Sequence, residues 1–107
     1  MTLDEFQYLA ARTINNKLNF QDTLLHALHG LSAEIGELHG IYQKYFQGHE
    51  INQDDLRKEC GDILWMLCEY LTACGWSLEE IAQENIDKLR KRYPDGFSAE
   101  RSVNRTE

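Results

Sequence analysis

The placement of proline constrains the fold of this chain more than any other feature. Its 107 residues contain one proline, Pro94. Residues 1–93 therefore hold no residue that interrupts a helix by lacking a backbone N–H. Apolar residues recur at helical spacing across that stretch, and no run alternates apolar and polar residues as a half-buried strand would. We therefore expect an all-α fold.

Four helices are predicted from capping signals and apolar periodicity. Thr2 and Ser77 each begin a capping box, in which a hydroxyl and a carboxylate satisfy free backbone amides. Asp22 is a candidate N-cap for the second helix, and Asn52 or Asp54 opens the third. The expected helices run from Leu3 to about Asn15–Asn16, from Asp22 to about Gln47, from Asn52 to Gly75, and from Leu78 to Tyr93.

The middle of the third predicted helix, residues 63–68, is apolar on every face. Such a helix is normally buried all round, and four thin helices cannot surround one of their own members. We therefore expect a helical bundle of about four helices per chain, completed by homo-oligomerisation into a homodimer or homotetramer. The chain is expected to form one domain over residues 1–107, with its core at about 22–97. Residues 98–107 are expected to form a loose polar tail unless they dock on a neighbouring subunit.

The charge and hydropathy of the chain exclude several classes of partner. A formal net charge of −7 argues against binding of a nucleic acid polymer, which requires a basic surface. It does not exclude a small phosphate ligand, because a divalent metal reverses the local sign of an acidic pocket. The longest apolar run, residues 63–68, is far too short to span a membrane. The N-terminus also lacks the basic and apolar regions of a signal peptide, so a cytoplasmic protein is expected.

Two pairs of acidic residues lie beside apolar rows of the predicted helices. Glu34 and Glu37 are three residues apart on one face of the second helix, and Glu59 and Asp62 repeat this spacing on the third. Four acids on facing apolar stripes repel one another and cannot all stay ionised without compensation. A hard divalent cation with oxygen ligands supplies that compensation. The sequence therefore predicts a metal site formed by these four acids.

These acids have two other interpretations, as solvated surface charges or as ligands of a di-iron site. Most glutamates are solvated charges, and one pair at this spacing is common, but two pairs on consecutive helices are more specific. Di-iron carboxylate bundles use Glu-x-x-His pairs. No glutamate stands three residues before any of the four histidines, His26, His29, His39 and His49. Redox iron is therefore disfavoured, and the shared face of His26 and His29 is interpreted as structural or as a surface feature.

Several segments of the chain resemble the MazG-like nucleotide pyrophosphohydrolases. Residues 25–37 (LHALHGLSAEIGE) and 58–65 (KECGDILW) contain the ExxE motif and, after a gap, the ExxD motif of that family. Residues 85–97 (NIDKLRKRYPDGF) resemble its C-terminal motif. The resemblance covers residues 24–97. It implies an all-α fold that forms dimers or tetramers and cleaves nucleoside triphosphates between the α and β phosphorus atoms. Magnesium is the expected cofactor, with Mn²⁺ as a substitute.

The resemblance also implies roles for individual residues. The four acids are expected to bind the metal, and we assign Glu37 the additional role of orienting or deprotonating the attacking water. A polar and basic row on the fourth helix can bind the phosphates as negative charge develops. Its members are Asn85, Lys88 and Arg92. Basic residues at a helix C-terminus also complement the macrodipole, which is the structural alternative for this row.

Two further functions are compatible with the same residues. The site could act on another pyrophosphate-containing metabolite, or the chain could be a noncatalytic helical oligomer that binds a metal or a partner helix. The inward acids argue against a purely structural interface, which would be better served by apolar residues. The sequence therefore favours an enzyme.

Overall fold

The computed structural model describes residues 1–105, and all regular structure there is helical. The helices are α1 (Leu3–Ala11), α2 (Phe20–Tyr45), α3 (Gln53–Cys74), α4 (Leu78–Arg92) and α5 (Ala99–Val103). The prediction of an all-α fold is confirmed. The short helix α5 lies in the tail that was expected to be loose, so the described chain has five helices rather than four. The last two residues of that tail, 106 and 107, lie outside the described part.

The helix starts follow side-chain capping, with one correction to the prediction. Thr2, Asn52 and Ser77 are the N-caps of α1, α3 and α4, and each accepts hydrogen bonds from backbone N–H groups of the first turn. The predicted start of α2 is wrong. Asn19 is its N-cap, and its side-chain oxygen accepts from the backbone N–H of Asp22 at 2.8 Å. Asp22 instead lies in the first turn, where its negative charge complements the helix dipole.

The helix ends are set by tightened turns and by glycine. The α-helical part of α1 ends at Ala11, earlier than predicted. Beyond it, the backbone N–H groups of residues 12–14 each donate to the carbonyl oxygen three residues earlier, at 3.0–3.3 Å, and so continue the turn to Ile14. The second helix ends at Tyr45, before the predicted Gln47. Gly75 ends α3 in the left-handed conformation (φ +75°), as predicted, because glycine adopts it without steric cost.

The largest helix–helix contact is between α2 and α3, which run antiparallel, and α1 packs on both α3 and α4. The Gln7 side chain ties α1 to the α3–α4 turn. Its amide donates to the carbonyl oxygen of Trp76 (2.8 Å) and its oxygen accepts from the backbone N–H of Leu78 (2.7 Å). The small core at this junction contains Ala10, Cys68, Leu71 and Leu78.

At Gly30 a side chain of α3 lies directly against the backbone of α2. A Cβ atom at this position would overlap the side chain of Met66, so glycine allows Met66 to lie directly against the α2 backbone. Gly36 and Gly61 differ, because nothing lies within 4 Å of a Cβ built on either. These two glycines stand next to the predicted metal ligands. They leave open space there, as the sequence predicted.

A single chain is open and incompletely packed. Its radius of gyration is 17.3 Å, whereas a compact domain of this length has about 13 Å. Its accessible surface is 8277 Å², whereas a compact monomer of 12.5 kDa exposes about 6200 Å². Every residue from 83 to 91 is exposed, so the second half of α4 is uncovered on all faces. None of the described helices is both long and apolar enough to cross a bilayer.

Candidate metal centre

Three of the four predicted metal ligands meet where α2 packs on α3. One carboxylate oxygen from each of Glu34, Glu59 and Asp62 lies within 4.8 Å of the other two. Glu34 comes from the middle of α2, whereas Glu59 and Asp62 come from the N-terminal half of α3. Because the two helices run antiparallel, acids 25 or more positions apart in the sequence become neighbours. We call these three residues the acid cluster.

The fourth predicted ligand, Glu37, does not join the acid cluster. It lies one turn beyond Glu34 on α2 and is exposed to solvent. Its carboxylate is nevertheless close enough to Glu59 to contribute to the raised pKa of that residue. Glu37 is therefore a neighbour of the cluster that already interacts with Glu59.

The carboxylates of the acid cluster are electrostatically strained in the absence of a cation. Desolvation, followed by hydrogen bonding with Glu34 and repulsion from Glu37 and Glu34, raises the pKa of Glu59 from 4.5 to about 7. Among the described residues, no lysine or arginine lies within ion-pair distance of the cluster. The second carboxylate oxygens (Oε2) of Glu34 and Glu59 are shielded from solvent and have no hydrogen-bond partner within residues 1–105. Buried polar atoms are normally paired. These two oxygens therefore need a partner that residues 1–105 of one chain do not provide.

The donor set of the cluster indicates which ligand fits. All donors are carboxylate oxygens, which suit Mg²⁺, Mn²⁺ or Ca²⁺, whereas zinc sites typically add histidine or cysteine. A divalent ion would satisfy the unpaired oxygens of Glu34 and Glu59 and relieve the repulsion between them. The residues present therefore fit a divalent cation with oxygen ligands.

The predicted phosphate-binding row lies on α4 and is not brought to the acid cluster within one chain. Asn85 and Lys88 are exposed and line a surface cavity of about 290 Å³. Neither forms a hydrogen bond or an ion pair with the acid cluster in the described structure. Arg92 is the last residue of α4 and is half-buried, and its carbonyl oxygen accepts from the Arg101 guanidinium at 2.6 Å.

The structure also contains a polar pair that sequence reasoning missed. His26 Nδ1 lies 2.6 Å from Glu69 Oε1. The Glu69 side chain is 1% exposed and that of His26 is 48% exposed. The signal that could have revealed this pair is a glutamate directly after the all-apolar run 63–68, because a buried carboxylate needs a partner. The partner itself could not be read from the sequence, since it lies 43 positions away.

Comparison with known proteins matches the part of the chain that contains the candidate site to a protein family. The family described as the MazG nucleotide pyrophosphohydrolase domain matches residues 21–97, which include all four predicted metal ligands. Gene 37 protein of Mycobacterium phage L5 is 29% identical over 72 residues, which is 63% of this chain and 63% of that protein. The match thus spans less than two thirds of the length of this relative. No solved structure matches the chain.

The raised pKa of Glu59 predicts a specific pH dependence of stability in the metal-free protein. Because the folded-state pKa (about 7) exceeds the ordinary value of 4.5, the Glu59 contribution is fully present below about pH 4.5. It is lost as the pH rises through about 7. Glu59→Gln cannot titrate, so the free energy of unfolding of the wild type should fall relative to that of the variant across this interval. Urea unfolding in the presence of a chelator measures this difference.

The matched control for this pH series is Glu50→Gln, which alters an exposed glutamate outside the helices. Its free energy of unfolding should parallel that of the wild type across the same pH interval. Parallel curves for the wild type and Glu59→Gln would contradict the electrostatic strain assigned to the cluster.

Proposed function

This chain belongs to the MazG nucleotide pyrophosphohydrolase domain family, and from that membership we propose that it hydrolyses nucleoside triphosphates to the monophosphate and pyrophosphate. The reaction is proposed to depend on Mg²⁺, with Mn²⁺ as a substitute. The observation that carries the proposal is the acid cluster at the α2–α3 contact. Its unpaired buried oxygens favour a cation, and its position inside the matched segment favours the family's reaction.

In this proposal some of the acids hold the cation and another activates the attacking water. Glu34, Glu59 and Asp62 hold the metal, and Glu37 is a further ligand or lies beside it. When bound, the ion neutralises phosphate charge and polarises a phosphoryl oxygen as a Lewis acid. The Gly36 and Gly61 positions keep the space beside these carboxylates free for the phosphate chain.

Glu37 is proposed to act on the attacking water because of its position. It is exposed and lies beside the acid cluster, where its carboxylate would orient a water molecule and accept its proton. The water oxygen forms a bond to a phosphorus atom of the α–β anhydride, and the bond from that phosphorus to the bridging oxygen breaks. The water proton passes to Glu37, and pyrophosphate and the monophosphate leave.

The phosphate-binding row is proposed to act in a homo-oligomer. Asn85 and Lys88 are exposed on the uncovered half of α4 and form no hydrogen bond or ion pair with the acid cluster of their own chain. A second copy of the chain would bring such a row to a substrate held elsewhere in the assembly. Together with Arg92, these residues would offset the negative charge of the triphosphate. Such local positive charge is needed because the chain as a whole carries a net charge of −7.

The surface of one chain supports a homodimer or homotetramer. The chain exposes about 2000 Å² more than a compact monomer of its mass, which is more than twice the roughly 800 Å² that each partner buries in a standard-size interface. Some of the exposed large apolar residues follow one side of α2. The exposed residues there are Leu25, Leu28, Ile35 and Tyr42. We propose that this α2 face packs against a second copy.

A single charge on the α2 face should disrupt the proposed oligomer. Ile35 is 42% exposed in one chain, and Ile35→Glu would place a charge in the centre of the contact. Sedimentation equilibrium should show a dimer or tetramer for the wild type and a monomer, or at least tenfold weaker association, for the variant. Lys44→Glu, at an exposed position near the end of α2, is the control and should associate as the wild type does. A monomeric wild type would contradict the proposal.

The proposed reaction is tested by identifying products from a panel of canonical and modified nucleoside triphosphates with Mg²⁺. The wild type should release monophosphate and pyrophosphate. Glu34→Gln and Glu59→Gln should lower kcat/KM by about 100-fold or more, because each removes a metal ligand. Glu37→Gln should lower kcat while metal binding is largely kept. Glu50→Gln, the exposed control, should retain full activity.

Each other result of the product analysis has a defined meaning. Release of orthophosphate would show that a different bond is broken. No turnover on the whole panel, with metal binding intact, would contradict nucleotide hydrolysis and favour another pyrophosphate-containing substrate or a noncatalytic oligomer. Equal activity of Glu59→Gln and the wild type would contradict the role of the acid cluster.

A further inference from the structure

The His26–Glu69 pair is a second polar site between α2 and α3, separate from the acid cluster. His26 Nδ1 and Glu69 Oε1 are 2.6 Å apart, and Glu69 is almost completely buried. The other oxygen of Glu69, Oε2, is also buried and has no hydrogen-bond partner among the described residues. Half of the His26 side chain nevertheless remains exposed. The pair therefore joins a buried carboxylate to an imidazole ring that solvent can reach.

The pair lies further along the same helix–helix contact as the acid cluster. Glu69 follows Asp62 by seven residues on α3, which is about 10 Å along the helix axis, and His26 precedes Glu34 by eight residues on α2, about 12 Å. Met66, packed against Gly30, stands between the two sites. A ligand that reaches from the acid cluster to His26 must therefore be about as long as a nucleoside.

The stability of the fold does not account for this pair. A buried ionised or hydrogen-bonded pair generally stabilises a protein no more than apolar residues of the same volume do. Met66, one turn before Glu69 on α3, packs against Gly30 of α2, so apolar packing is tolerated at this contact. The unpaired Glu69 Oε2 adds a further cost that an apolar residue would avoid.

The geometry also assigns the two residues different roles. Glu69 fixes the orientation and tautomer of the imidazole through Nδ1. A carboxylate commonly does this for histidines whose other ring nitrogen binds a ligand. Nε2 is then the one ring nitrogen left for a ligand on the half-exposed ring. His26 lies about two helical turns, or about 12 Å along α2, from Glu34, whereas a catalytic group must lie within about 3–3.5 Å of the reacting atoms. We therefore assign it no role at the reacting phosphate.

We propose that His26 Nε2 forms a hydrogen bond with the polar edge of the nucleobase. Glu69 is the positioning residue, because it fixes the orientation and tautomer of the His26 ring. The inference rests on the proposed function, because it is the nucleotide substrate that would extend from the acid cluster to His26. The pair thereby contributes to the choice among nucleobases. It takes no part in bond cleavage.

The test uses the full chain with labelled histidine side chains, titrated with the canonical nucleoside monophosphates in the presence of Mg²⁺. Ring nitrogen resonances of His26 should shift with at least one monophosphate, and those of His29, three residues away and exposed on the same helix, should not. Glu69→Gln can donate to Nδ1 instead of accepting from it. The variant should therefore change the ratio of affinities between bases by about tenfold or more.

Two variants and an activity readout separate this inference from the proposed function. His26→Ala alters a half-exposed position, so it provides the test if Glu69→Gln fails to fold, and it should reduce discrimination among bases. His29→Ala is the control and should leave the ratio unchanged. For triphosphate substrates, both site variants should change the relative kcat/KM among bases, while pyrophosphate remains the product.

Several results would overturn the inference. Monophosphates that bind without moving the His26 resonances would do so, as would failure of every monophosphate to bind. Unchanged ratios among bases in both site variants, with pyrophosphate still released, would refute the base contact and leave the proposed reaction intact. A wild type that releases no pyrophosphate while its His26 resonances respond to monophosphates would instead refute the reaction and support the base contact.

Discussion

Repulsion among carboxylates held together by helix packing is the constraint on which the rest of this structure depends. The antiparallel contact of α2 with α3 brings Glu34, Glu59 and Asp62 within 4.8 Å of one another. Packing at Gly30 and Met66 on one side of the cluster keeps the helices close, so the acids cannot simply move apart. No basic side chain among residues 1–105 pairs with them. An external cation is the compensation that this arrangement favours.

The remainder of the chain is arranged around this contact and leaves much of it uncovered. The first helix and the Gln7 hydrogen bonds fix the far end of α3, where the small core lies. The second half of α4 and one side of α2 stay exposed, although both carry apolar residues. These exposed faces are the surface on which the proposed second copy of the chain would pack.

The sequence predicted those features of the fold that depend on local interactions. The caps Thr2 and Ser77 and the left-handed Gly75 were predicted because each acts within a few residues of its own position, and Asn52 was one of two candidates for the third cap. Asn19 was passed over for Asp22, since both residue types cap helices and only the three-dimensional structure shows which backbone amide is reached. The α5 helix was missed because a five-residue helix has almost no periodicity to detect.

The candidate site was only partly predictable for the same reason. Spacing of three residues places Glu34 and Glu37 on one helix face, but it does not say which of them turns towards α3. In the structure Glu34 belongs to the acid cluster, and Glu37 is exposed beside it. The His26–Glu69 pair depends on the register of two helices over 43 positions, which no local pattern specifies. Family membership supports the identity of the reaction, whereas the structure shows the strain that a cation would relieve.

Calorimetric titration of the metal-free protein with Mn²⁺ and Mg²⁺ tests the role of the acid cluster most directly. The account predicts saturable binding to the wild type and to Glu50→Gln. Binding to Glu59→Gln should be weaker by about 10- to 100-fold or more. Binding to Glu59→Gln that matches the wild type, or no saturable binding to any of the three proteins, would contradict the account.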